Sequence, residues 1–214
     1  MDELKTAYAS LRKGEFVIIY DGDEREGEAD LVFHAAFATP EKIRKMRRDA
    51  GGLICVALGS KEADLLKLPF YTDVLRKAGF EEIACKRAPY GDEPAFSFSV
   101  NHKKTYTGIT DNDRALTIKE IERAVRDEKP YDYLVENFYS PGHVFLLRSR
   151  GLKNRKGHTE LATAIAEKAG LTAAMVLCEM LGEGTALKRD EVERYAKKNR
   201  IVFVEGKNIM EGVL

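Results

Sequence analysis

The chain has 214 residues, 44% of them hydrophobic and 33% charged, with 35 Lys+Arg balanced by 35 Asp+Glu. That length suits one large domain or two small ones, and a net charge of zero argues against non-specific nucleic-acid binding, which needs a basic excess. Three cysteines without CxxC spacing (Cys55, Cys85 and Cys178) argue against a disulfide framework or structural zinc site and predict a reducing cytoplasm. The start MDELKTAYAS lacks the basic-then-apolar order of a signal peptide, and no apolar run approaches the roughly 20 residues that span a bilayer, so no membrane association is expected.

In chain order, residues 2–13 read as a helix with Leu4, Ala7, Tyr8 and Leu11 on one face, Asp2 as its cap and Gly14 as its end. Residues 16–20 form a short apolar strand. An acidic segment, 21–30, leads into a second strand over 31–37. Thr39-Pro40-Glu41 opens a helix with a cap followed by proline, Gly51-Gly52 closes it, and 53–58 is a buried strand. Residues 60–95 carry no clear period. Phe96, Phe98 and Val100 alternate with polar residues as in a strand. Thr117 and Glu120 form a capping box for a helix through Arg126. Pro141-Gly142 introduces a strand over 143–148. Two helices start near Thr159 and Thr172, each followed by a glycine, and a charged helix over 190–199 and a strand over 201–204 end the ordered part. With no repeat or Pro/Gly/Ser-rich linker, residues 1–214 read as one α+β domain of three α/β/α layers with a central mixed sheet.

Four groups of residues point to chemistry. In the segment from Asp21 to Asp30, six of ten residues are acids, offset by Arg25 alone. Crowded carboxylates repel unless a cation or positive ligand sits among them, and in an extended chain Glu26, Glu28 and Asp30 face one side. A solvated acidic turn is the usual fate of such a run, but it gives no reason for Gly22 and Gly27. An EF-hand loop fails because its glycine position holds Glu26 and its last acid position Val32. The second group is Arg155-Lys156-Gly157-His158-Thr159 at a helix start. Free N–H groups and two basic side chains make a phosphate cradle there, and His158 suits a metal or a proton transfer; the plain alternative is a capped helix with basic surface residues. Third, Glu179 stands in the otherwise apolar stretch 171–181, read as a buried helix, where a carboxylate is costly unless paired. Fourth, His143 opens a strand, a place where structural histidines are the commoner outcome. His34 and His102 have no context beyond structure.

Together these segments resemble the 3,4-dihydroxy-2-butanone 4-phosphate synthase family of riboflavin biosynthesis over nearly the whole chain. The matching stretches are Asp21-x-x-x-Arg-Glu-Gly-Glu-Ala-Asp30, Gly52-Leu-Ile-Cys55, Tyr106-Thr-Gly-Ile109 with Asp113-Arg-Ala115, Pro141-Gly-His-Val-Phe145, Arg155-x-Gly-His-Thr-Glu160 and Val176-Leu-Cys-Glu179. Leu146, and Ala173-Ala174-Met175, depart from the usual proline and Pro-Ala-Gly of the family and touch packing only. The resemblance implies a lyase that converts D-ribulose 5-phosphate to L-3,4-dihydroxy-2-butanone 4-phosphate and formate, and a homodimer with active sites near the subunit interface. It implies a Mg²⁺ cofactor, with Mn²⁺ as a substitute and up to two divalent ions per site. It places Glu26 and His158 on the metal, Arg25, Asp30, Arg155, Lys156, Gly157, His158, Thr159 and Glu179 around the substrate, and His143 and Glu179 in catalysis. Glu28 is added by its place in the acid cluster, and Thr107 as a phosphate contact. The competing readings are an isomerase or aldolase for another sugar phosphate, which would consume substrate without formate, and a non-catalytic module that senses a phosphorylated ligand.

Overall fold

The computed structural model describes residues 2–213, the Asp2 side chain excepted, so the expected Asp2 cap lies outside the described residues. Helix α1 (Asp2–Arg12) precedes β1 (Val17–Tyr20) and β2 (Ala29–His34); α2 (Pro40–Lys45) and β3 (Cys55–Leu58) follow. Three short helices, α3 (Ser60–Leu65), α4 (Tyr71–Lys77) and α5 (Glu81–Ala84), fill the stretch that has no readable period. Then come β4 (Phe96–His102), α6 (Asp111–Val125), α7 (Pro130–Asn137), β5 (Phe138–Arg148), α8 (His158–Lys168), β6 (Ala174–Glu179), α9 (Arg189–Asn199), β7 (Val202–Glu205) and α10 (Gly206–Val213). The strands form one seven-stranded sheet in the order β4-β5-β3-β6-β2-β1-β7. Pairs β1/β7 and β3/β5 are parallel and the rest antiparallel, so the sheet is mixed.

Helices cover both faces, as the three-layer expectation requires. On one side Ile18, Leu31, Phe33, Val56 and Val176 pack against residues of α2, α6 and α9; on the other, Val17, Ile19, Val32, Cys55 and Leu177 pack against α1, α8 and α10. Strands buried on both faces lose the polar half of the alternation and read as unbroken apolar runs. That explains one error of sequence reading. Residues 171–181 are no helix: the positive φ of Gly170 ends α8, and 174–179 form β6, paired with β2 and β3 on its two sides. A short apolar run fits a buried strand as well as a buried helix, and the pairing with β2 and β3 decides for the strand.

Other corrections are local. The strand expected over 31–37 stops at His34, whose Nδ1 accepts from the Ala36 N–H and starts a 3₁₀ turn, Ala35–Phe37. Thr39 caps α2 as expected, and the helix runs on as a π-helical turn, Met46–Ala50, to left-handed Gly51. Helix α6 begins at Asp111 with Thr110 as its cap; Thr117 is interior and its hydroxyl accepts from the His102 N–H. Strand β5 starts at Phe138 and passes through Pro141-Gly142, where the bare Gly142 lies against the backbone of Val100 and Asn101. A further helix, α10, follows β7 among the described residues. Among the described residues no helix is long and apolar enough to cross a membrane.

Leu146 in β5 is fully buried in the larger core cluster. Leu146→Ala should cost about 2–5 kcal/mol of stability through the cavity it leaves, measured as a lower urea midpoint at unchanged slope.

Candidate active site

The acidic segment is the β1–β2 connection. The Arg25 and Gly27 N–H groups both donate to the Gly22 carbonyl, and Gly22 and Gly27 take positive φ values of 114° and 66°, which L side chains adopt at a cost. Asp21 organises this turn from inside. Its buried carboxylate accepts from the Glu26 N–H at 3.2 Å, the Glu28 N–H at 3.0 Å and the Arg25 guanidinium at 2.8 Å. With those bonds made, Asp21 is a scaffold for the turn, although its carboxylate lies close enough to Glu26 and His158 to complete a three-residue metal-binding group.

The turn delivers Glu26 to His158, the first residue of α8, with Glu26 Oε2 3.7 Å from His158 Nδ1. Two ligand atoms each about 2.1 Å from a common ion lie about 3–4 Å apart, so this pair fits a divalent cation. On the far side of the ring, His158 Nε2 is 3.8 Å from Asp30 Oδ1, and both atoms are buried without a hydrogen-bond partner. Such orphans are expensive unless a further ligand or ion satisfies them.

Glu179 ends β6 directly opposite Asp30 of β2. Its Oε2 accepts from the Leu53 N–H at 2.8 Å, and its backbone carbonyl accepts from Gly52 at 3.1 Å. A Cβ at position 52 would overlap the Glu179 carboxylate, so the glycine is what lets this side chain fold back over β3 toward the cleft. Glu179 is therefore half-buried at a sheet end rather than inside a helix.

On the α8 side, the cap is Gly157 and not Thr159; no side chain caps the first turn. Arg155 pairs with the fully buried Glu160 at 2.6 Å, and Arg25 and Arg155 both reach Asp92, at 2.6 and 3.2 Å. Arg25 also lies over the Tyr90 ring, 5.1 Å from its centroid.

Charge is out of balance here. Asp21, Glu26, Glu28, Asp30 and Glu179 face mainly Arg25 and His158. Burial and the neighbouring acids Glu179, Glu26 and Glu28 push Asp30 up to about 7 against the pull of His158. Burial and Glu26 raise Glu28. Burial opposes the charged form of His158, but Asp30, Glu26 and Asp21 outweigh it and hold the imidazolium to about 9. Burial likewise opposes the charge on Glu26, which His158, Arg25 and the Tyr90 hydroxyl nevertheless keep ionised down to about 2. A cluster that raises Asp30 and Glu28 and protonates its histidine is short of positive charge, which a divalent cation on Glu26 and His158 would supply.

Of the residues expected from sequence, Glu26, Asp30, Arg155, His158, Thr159 and Glu179 line one cleft. Arg25 lines the neighbouring polar depression but meets Arg155, a cleft residue, over Gly157, and Glu28 adjoins Glu26 and Glu179. Lys156 points away, into a separate polar depression beside Arg189 and Lys207. His143 and Thr107 belong to another, exposed cluster: His143 is bonded to Asn101, which touches Gly108, while Thr107 bonds Asp113. Sequence reading missed Tyr90 and Asp92, which sit on a loop without periodicity, and the Gly52–Leu53 seat for Glu179.

The chain has relatives among known proteins. Residues 5–212 match the family described as 3,4-dihydroxy-2-butanone 4-phosphate synthase. The chain belongs to that family. A protein of that name from Methanothermobacter thermautotrophicus is 40% identical over 220 residues, covering 99% of this chain and 96% of its own. Another, from Methanosarcina mazei, is 41% identical over 226 residues, covering 100% and 92%. Among solved structures, a 3,4-dihydroxy-2-butanone 4-phosphate synthase in complex with two magnesium ions superposes with a TM-score of 0.81 at 29% identity, over 100% of this chain and 97% of that one.

The seat of Glu179 gives a direct test. Gly52→Ala should push the carboxylate off the Leu53 N–H and lower turnover about 10²-fold, the scale of a 1 Å misplacement, with a stability loss of about 1–3 kcal/mol from overpacking. Turnover per folded molecule and melting temperature on the same variant measure both.

Proposed function

We propose that the chain converts D-ribulose 5-phosphate to L-3,4-dihydroxy-2-butanone 4-phosphate and formate, as a lyase of riboflavin biosynthesis in the cytoplasm. The observation that carries the reading is the meeting, in one cleft, of the Glu26–His158 pair, the Asp30 and Glu179 carboxylates and the Arg155 side of an uncapped helix start. Carbon, hydrogen and oxygen balance between the sugar phosphate and the two products, so the reaction needs no co-substrate. Its steps are enolisation, loss of water, migration of a carbon, return of a water to the rearranged carbonyl and release of formate.

Mg²⁺, or Mn²⁺ in its place, held by Glu26 and His158 would stabilise enolate-like charge on adjacent substrate oxygens, and a second ion has carboxylates at hand in Asp30 and Glu28. The protein's own groups do the rest. Arg155, Arg25 and the first-turn N–H groups of α8 hold the phosphate end. Glu179, fixed by the Leu53 N–H, and Asp30, beside it on β2, flank the carbon chain and exchange protons with it. Closely packed apolar walls from Cys55, Leu147 and Leu177 limit water at the reacting carbons.

His143 and Thr107 enter this scheme through a homodimer. They do not line the cleft of their own chain, and they lie among exposed apolar side chains: Tyr106 at 96% exposure, Ile109 at 50% and Tyr139 at 47%. Leu53, next to the Glu179 seat, is also exposed. Apolar surface at both places suits an interface in which each protomer lends His143 and Thr107 to its partner's cleft.

Two measurements test the reading. Formate release from ribulose 5-phosphate should require Mg²⁺, vanish with excess chelator and fall about 10²-fold or more in Glu26→Gln and His158→Ala; substrate consumption without formate would sink the assignment. For the dimer, mixing two inactive variants, Glu26→Gln and His143→Ala, should restore about a quarter of the parent turnover, because half the dimers then carry one intact site of two. No recovery after subunit exchange would reject the shared site.

A further inference from the structure

Asp92 stands where a ligand's anion belongs. One oxygen of its carboxylate, Oδ2, lies 2.6 Å from an Arg25 terminal nitrogen and 3.2 Å from Arg155 Nε. Both guanidinium groups converge above Gly157, where a Cβ would collide with each of them, and directly in front of the α8 first turn that no side chain caps. Two forked cations and an uncapped helix start make one anion position, and the protein fills it with its own carboxylate.

Each arginine also has a partner of another kind. Arg25 pairs with Asp21 and Arg155 with Glu160, and the side chains of both acids have 0% exposure. Asp21 is locked by two backbone N–H groups, and Glu160 by the Arg150 N–H. Asp92 has 27% side-chain exposure and sits on an irregular turn, closed by a bond from the Gly91 N–H to the Ala88 carbonyl. Its neighbour Glu93 anchors the turn separately, through Arg150 at 3.0 Å. The permanent partners are buried and scaffolded; the shared one faces water and can leave without breaking its loop.

We propose that Asp92 is a specificity-determining residue: a tethered carboxylate that competes for the Arg25–Arg155 anion position and yields it only to a dianionic phosphate monoester. The proposal rests on the phosphate reading of that position given above. A phosphate brings two charges and three oxygens to two forks and a helix start, so it gains bonds when it replaces one carboxylate. A monoanion trades one charge for one, against a competitor whose tether gives it an effective concentration of the order of millimolar. Displacing Asp92 costs one charged hydrogen bond, to Arg25 at 2.6 Å, which the added charge and bonds of the dianion offset and a monoanion's do not. Simple carboxylates, including the proposed product formate, are thereby kept off the arginines.

Calorimetric titration of the Mg²⁺-loaded full chain with inorganic phosphate, and separately with acetate, tests this. Asp92→Asn should bind inorganic phosphate about ten- to hundredfold more tightly, the worth of one competing charged hydrogen bond, and should acquire measurable acetate binding that the parent lacks. Asp92→Glu, which restores a carboxylate, should return both toward the parent. In turnover, Asp92→Asn should lower KM for ribulose 5-phosphate with no gain in kcat. If Asp92 merely props the arginines in place, Asp92→Asn binds phosphate more weakly and KM rises; weaker or unchanged binding at an unchanged melting temperature overturns the proposal. Arg155→Ala locates the site: phosphate binding that survives it overturns the phosphate reading and this proposal together. A parent chain that releases no formate overturns the proposed reaction alone, and the sign of the Asp92→Asn titration still decides the role of Asp92.

Discussion

Asp30 and Glu179 face each other across adjacent antiparallel strands at the end of the sheet. Two carboxylates at one rung repel, and burial makes the repulsion stronger because water no longer screens it. Everything around that rung answers it. His158 is placed by the first turn of α8, with a carboxylate against each ring nitrogen. The β1–β2 turn wraps Asp21 and Arg25 around the same point, and the Gly52–Leu53 backbone takes one Glu179 oxygen as an acceptor. The remaining deficit of positive charge suits a divalent ion and a phosphorylated ligand held by arginine.

The fold makes this cluster affordable by separating the two tasks. Two apolar layers on opposite faces of a seven-stranded sheet supply the stability, and the chemistry gathers at one sheet end, where strands terminate and turns begin. Glycines mark the places where the backbone makes room for functional side chains: Gly52 under Glu179, Gly157 under Arg25 and Arg155, Gly22 and Gly27 in the acidic turn. Their task is approach and turning, which a larger side chain would block.

The same sheet places His143 and Asn101 on β5 and β4, outside the acidic cleft and beside exposed aromatic rings. A single copy of the chain thus carries two separated polar clusters, which is why residues joined by one family motif set fall into different neighbourhoods in space. The Asp92 turn belongs to a third segment, between α5 and β4, and meets Arg25 and Arg155. Sites assembled from segments this far apart in sequence depend on register: a one-residue slip of β2 against β6 would turn Asp30 away from Glu179.

By itself the sequence determined the mixed α/β layering, the cap at Thr39, the acidic turn, and the Arg155–Thr159 helix start with His158 in it, because each is written in a local pattern of apolar period, cap residue or charge. It also contained Glu26, Asp30 and Glu179 as the acids to watch, since acids between apolar strands and inside an apolar run conflict with their surroundings. Only the tertiary structure decided that 174–179 is a strand, because a six-residue apolar run has no helical or strand period to read, and its hydrogen bonds go to β2 and β3, far away in sequence. Only it separated Lys156, Thr107 and His143 from the cleft, and only it brought in Tyr90 and Asp92 from an aperiodic loop. The division has one physical cause. Periodicity and capping are settled by neighbours within a few residues, whereas the meeting of charges is settled by strand order and register, which no local stretch of chain contains.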